Sequence, residues 1–73
     1  MEVELGHEYL GPDPDGKMVR VRVDKRGNPS DRIQIEIRGQ RVPSDVAIVT
    51  FLQGEHRGLS GRVSYLHLEV LAG

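Results

Sequence analysis

The sequence predicts an all-β fold, a small antiparallel meander of five strands closing into a barrel, with residues 1–73 forming one domain. Three observations carry this expectation. The stretches MVRVRVD and RIQIEIR alternate apolar and polar residues with a period of two, as strands with one buried and one wet face do. Clusters of Gly, Pro, Asn, Asp and Ser punctuate the chain at roughly 12-residue intervals, each residue type favouring a turn for its own backbone reason. The segment VAIVTFL is apolar on both parities apart from Thr50, as suits a strand buried on both faces. A flat sheet of these strands would expose two edges and one apolar face, and closure removes them.

Taken in order, Val3 and Leu5 alternate with Glu2 and Glu4, and with His7, Tyr9 and Leu10 they form the expected first strand, which stops at Gly11. GPDPDG then combines fixed proline φ with glycine freedom in a tight connection. The second strand covers about residues 17–24, the connection KRGNPSD follows, and the third strand covers about 32–38. Val42-Pro43-Ser44-Asp45 delays the next strand, because proline cannot donate to a central ladder. The fourth strand spans residues 46–52, and QGEHRGLSG is a glycine-rich loop. In the last strand, RVSYLHLEVL, the apolar parity changes between Val63 and Tyr65 on one side and Leu66, Leu68 and Val70 on the other. That change predicts a bulge or bend near Tyr65 and Leu66.

Pairing the second strand with the third as a hairpin satisfies both faces at once. Val23 meets Ile33, Val21 meets Ile35 and Val19 meets Ile37 inside, while Asp24 falls opposite Arg32 and Arg20 opposite Glu36 outside. A slip of one residue would turn the whole apolar comb to water.

Composition excludes several classes. Ten basic residues against eleven acidic ones leave a net charge of −1, unlike a strongly electrostatic nucleic-acid binder. The charge is nevertheless asymmetric. Lys17, Arg20, Arg22, Lys25, Arg26, Arg32, Arg38 and Arg41 crowd the middle, and the first fifteen residues are acidic. With no cysteine, disulfides and thiolate metal sites are out, and a reducing, cytoplasmic setting is expected. No apolar run approaches the roughly 20 residues that span a bilayer, and MEVELGHE does not resemble a secretory signal, so no membrane association is expected. At 73 residues a single core is only marginally sufficient, which leaves room for an oligomeric interface.

Catalytic and cofactor motifs are missing. His7, His56 and His67 share no metal-ligand spacing, and His56 reads as a solvated loop side chain, so no metal site is expected. Ser60 and Ser64 lack a nucleophile motif, and Asp13 and Asp15 read as turn formers. Gly54, Gly58 and Gly61 lack the ending of a phosphate-binding loop, so no small-molecule cofactor is expected and the chain is not read as an enzyme.

For binding, the aromatic residues Tyr9, Phe51 and Tyr65 are too few to line a peptide groove or a base-stacking platform. Phe51 reads as core, and the tyrosines as packing at the barrel rim. Arg20 faces Glu36, whereas Arg22 faces Gln34, and Lys25 and Arg26 lie in the adjoining loop. Asp24 is the acidic neighbour assignable to these last three, so Arg22, Lys25 and Arg26 are the candidates for a phosphate-contacting patch.

The loop between the last two strands adds a further signal. Val49, Phe51 and Val63 supply spaced apolar positions around Gly54, Gly58 and Gly61, with Arg57 in the turn and Arg62 beyond it. This pattern resembles the KOW motif, in which two alternating strands flank a glycine-spaced turn that carries a basic residue. The resemblance implies an SH3-like small barrel of the kind found in ribosomal proteins and transcription elongation factors, whose loop touches RNA or a protein partner. By that resemblance Arg57 and Arg62 join Arg22, Lys25 and Arg26 as the expected contact residues.

The expected function is therefore a non-catalytic binding module for RNA or a nucleic-acid-handling protein complex. The alternative is a structural or assembly protein, such as a phage component or homo-oligomer, pairing through sheet edges and its last strand. Leu66, Leu68, Val70 and Leu71 would then lie at the interface.

Overall fold

The computed structural model describes residues 2–28, 30 and 32–72. Pro29 and Asp31, two of the turn formers expected after the second strand, lie outside the described residues. Six strands are formed among the rest: β1 (Glu8–Pro12), β2 (Met18–Arg26), β3 (Ile33–Ile37), β4 (Gln40–Ser44), β5 (Val46–Phe51) and β6 (Ser60–Ser64). A 3-10 turn, Tyr65–His67, follows β6. The all-β expectation holds, but the architecture is two antiparallel sheets rather than a five-stranded meander. One sheet has the order β1-β2-β5-β6, and β3 and β4 form a separate two-stranded hairpin. The ladders do not close into a barrel. A lone bridge between Leu10 and Glu69, with N–H···O distances of 2.9 and 2.8 Å, ties β1 to the segment after the 3-10 turn. No helix among the described residues is long and apolar enough to cross a membrane.

The expected union of the valine and isoleucine combs is not made. β2 lies between β1 and β5, so that Val21 is level with Tyr9 on one side and Phe51 on the other, and Val23 is level with Val49. The isoleucine comb turns to β4 instead, with Ile35 opposite Val42 and Ile37 opposite Gln40. The reason lies at Gly27. Its N–H donates to the carbonyl of Val46 at 2.7 Å, and a Cβ there would lie 2.9 Å from the same oxygen, so the chain leaving β2 stays against β5. The charged pairs change accordingly. Arg20 reaches Glu8 at 3.4 Å instead of Glu36, and Arg32 meets Asp45 at 2.9 Å instead of Asp24.

The core consists of Val3, Tyr9, Val19, Val21, Val23, Ala47, Val49, Phe51, Val63 and Leu68. Ile35 is buried outside that cluster, while Ile33 and Ile37, expected inside, are 40 and 38% exposed. β1 starts later than the alternation suggests, because the chain turns at Gly6 (φ +82°), whose N–H bonds to Val23 at 2.7 Å. Val3 still reaches the core, aided by the Tyr9 hydroxyl, which accepts a bond from the Glu4 N–H at 2.9 Å. Pro43 does not delay a strand but sits within β4, where it is tolerated because β4 pairs on one side only.

Of the bulge or bend expected near Tyr65 and Leu66, the structure has the bend, a 3-10 turn that changes the parity after Val63. Ser64 caps that turn, its Oγ accepting from the Leu66 N–H at 3.1 Å, and three residues of tight winding rotate Leu68 into the core. Leu66 and Val70 remain exposed. At the tip of the hairpin, Arg38 (φ +51°) and Gly39 (φ +79°) form the two-residue turn that joins β3 to β4. Left-handed backbone at both positions suits Asn-Gly best, and a side chain such as arginine there costs about 1–2 kcal/mol.

Candidate functional site

The wet face of β2 is shaped by an irregularity in its ladder with β5. Val23 lies level with Val49, and the next matched pair is Lys25 with Ile48, so Asp24 is an extra residue on the β2 side. Strict alternation after Val19, Val21 and Val23 would turn Lys25 inward. The bulge resets the phase and sets Lys25 level with Ile48, itself level with Arg62 on β6. Lys25 and Arg26 thus belong to a strand and not to the adjoining loop.

Asp24 closes a triangle with Arg22 and Thr50. Arg22 Nε lies 2.8 Å from Asp24 Oδ1, the Thr50 hydroxyl donates to Asp24 Oδ2 at 2.5 Å, and Arg22 Nη2 donates to Thr50 Oγ1 at 3.2 Å. The Thr50 hydrogen bond first, then that from Arg22, holds the Asp24 carboxyl below its ordinary value of 3.8. Arg22, expected in a phosphate-contacting patch, is therefore engaged within the sheet. The Lys25 charge acts on the same carboxylate and lowers it further, as the smallest of these effects.

Lys25, Arg26 and Arg62 come together. With Gly27, Asn28 and Ile48 they line a cleft of about 240 Å³ at the end of the sheet, and no carboxylate is among its described lining residues. Lys25 and Arg26 make no ion pair among the described residues. A second cleft of similar size adjoins it through Arg26 and Gly27 and is bounded by Arg32, Asp45, Val46 and Tyr65. Three cations from two strands, an amide side chain and one aliphatic wall can hold an anionic group by charge-assisted hydrogen bonds.

Arg57 lies outside this cleft, exposed in the turn between β5 and β6, where its N–H bonds to Gly54 at 3.2 Å. The glycines of that turn have separate structural roles. Gly54 and Gly58 adopt φ of +81° and +85°, and the ring of Phe51 covers Gly61 so closely that a Cβ would lie 2.7 Å from it. These contacts account for the glycine spacing by backbone geometry and core packing.

Another cluster joins the two turns at the opposite end of the sheet. Asp13, Asp15 and His56 each place a ligand-type atom within 4.8 Å of the others. His56 is half-buried, 3.1 Å from Asp15 Oδ2, with its ring 6.3 Å from that of Phe51, and so is not the solvated side chain the sequence suggested. The buried Asp13 uses Oδ1 to accept the N–H groups of Asp15 and Lys17, both at 2.9 Å. Turn closure accounts for this geometry.

Sequence reasoning found Lys25, Arg26 and Arg62 but missed Gly27, Asn28 and Ile48, which complete the cleft. Gly27 was visible only as a turn former, whereas its close approach to Val46 is what shapes the site. Comparison of the chain with protein-family models, curated proteins and solved structures found no match.

Proposed function

We propose that this chain is a non-catalytic binding module that holds the phosphate backbone of RNA, alone or within a nucleic-acid-handling complex, in the cleft of Lys25, Arg26 and Arg62. The convergence of these three cations on one cleft carries the reading, with no carboxylate among its described lining residues. Phosphate contacts of this kind position a nucleic acid without reading its sequence. The finer fold reading is an opened SH3-like barrel. Its support is the Leu10–Glu69 bridge, which brings the end of the chain back to the first strand after a 3-10 turn.

The test is the salt dependence of binding to a labelled single-stranded RNA of about 12 nucleotides. Affinity should fall linearly on logarithmic axes as salt rises from about 50 to 200 mM, and the slope should drop by about 0.7 for each phosphate contact removed. Lys25→Ala with Arg26→Ala should therefore reduce it by about 1.4. Absence of binding at low salt, or an unchanged slope in the double variant, overturns the reading.

The exposure of Leu66 and Val70 favours a second reading, self-assembly through the C-terminal segment. Leu68, the third expected interface residue, belongs to the core instead, and Leu71 is half-buried. Light scattering on the same samples separates the two readings, since assembly requires a mass that rises above 8.2 kDa with concentration.

A further inference from the structure

The β3–β4 hairpin carries a cation at the position where its backbone least favours one. The turn needs left-handed conformations at Arg38 and Gly39, and Asn-Gly would provide them with less strain. The Arg38 guanidinium contributes nothing visible in return. It makes no ion pair or side-chain hydrogen bond among the described residues, and it is exposed at the tip of a hairpin that pairs with no other strand. Strain at a surface position whose side chain has no internal partner points outward, to something the side chain meets.

The location of the hairpin indicates what that is. Its root is fixed by the ion pair of Arg32 with Asp45, and both residues bound the cleft that adjoins the Lys25 and Arg26 site through Arg26. From there a five-residue strand extends about 17 Å to Arg38. Arg41 lies on the same hairpin, opposite Glu36 but without an ion pair to it.

We infer that the hairpin is a second point of contact with the same ligand, Arg38 holding an RNA phosphate separate from the one held in the cleft. This rests on the RNA reading above and extends it from a single site to a two-point grip. Two separated contacts fix the direction of the strand across the surface, which one cleft cannot do.

Arg38→Asn tests the inference, because it relaxes the turn and deletes the cation in one step. The melting temperature should rise by about 4–8 °C, as expected for relief of strain in a domain of this size. The affinity for the same RNA should fall about fivefold at 0.1 M salt, and the salt slope by about 0.7. A variant that melts higher but binds with wild-type affinity and slope overturns the inference and leaves the cleft reading standing. A lower melting temperature overturns it too, because the turn would then depend on arginine. If wild-type protein shows no salt-dependent RNA binding, or if loss of Lys25 and Arg26 has no effect, the cleft reading fails and the inference falls with it.

Discussion

Asp13 is the residue on which the turn between β1 and β2 closes. Its carboxylate accepts two backbone N–H groups, its own N–H donates to Lys17 at 2.8 Å, and its carbonyl receives Gly16 at 2.9 Å. Asp13→Ala should cost about 1–3 kcal/mol in urea unfolding, because two N–H groups lose their acceptor in a partly buried site. Asp13→Asn keeps the amide oxygen in the same place and should lose much less. Equal losses for the two variants would show that the charge, and not the acceptor, matters. This role was legible in the run GPDPDG, whereas the approach of His56 to Asp15 was not, since 41 residues separate them and no local pattern encodes the contact.

At the scale of elements, strands were easier to recognise than their partners. β2 and β3 are strands where the alternation places them, though only Ile35 of the isoleucine comb is buried, and their union is not made, because the cross-strand energies that would choose between partners are small and similar for all β-branched pairs. What decides is the route of the chain: Gly27 against Val46 carries β2 onto β5, and the Ile33–Ile37 strand is left to pair with its sequence neighbour.

The bulge at Asp24 was likewise hidden. Alternation runs cleanly through Val23 and gives no sign that one residue is added on β2. Its carboxyl nevertheless leaves a measurable mark. The folded-state pKa lies below 3.8, so the stabilisation is complete above the unfolded value and fades as the pH falls from there through the depressed one. Asp24→Asn should therefore lower stability at neutral pH and flatten the acid limb of the stability curve between those two values. Parallel acid limbs in both proteins would show that the triangle with Arg22 and Thr50 does not form in solution.

For the whole molecule, the all-β class followed from periodicity and turn chemistry, but closure did not, because it depends on how the sheet curls and not on any one strand. The candidate site was half legible. Charge counting isolated Lys25 and Arg26, and the loop pattern added Arg62, but only the register of β2, β5 and β6 brings them to one place. The same register takes Arg22 away from them.

The close contact of Gly27 with Val46 has a modular consequence. The main chain departs from the larger sheet at one end of that hydrogen bond and rejoins it at the other, so residues 28–45 form a detour with touching ends. None of the described ones contributes to the hydrophobic cluster at the centre. Replacing the detour with Asn-Gly should yield a shortened protein in which β2 and β5 become an ordinary two-residue hairpin. Calorimetry should then show one cooperative melting transition, and a chain that fails to fold would mean that the excised ribbon scaffolds the remainder.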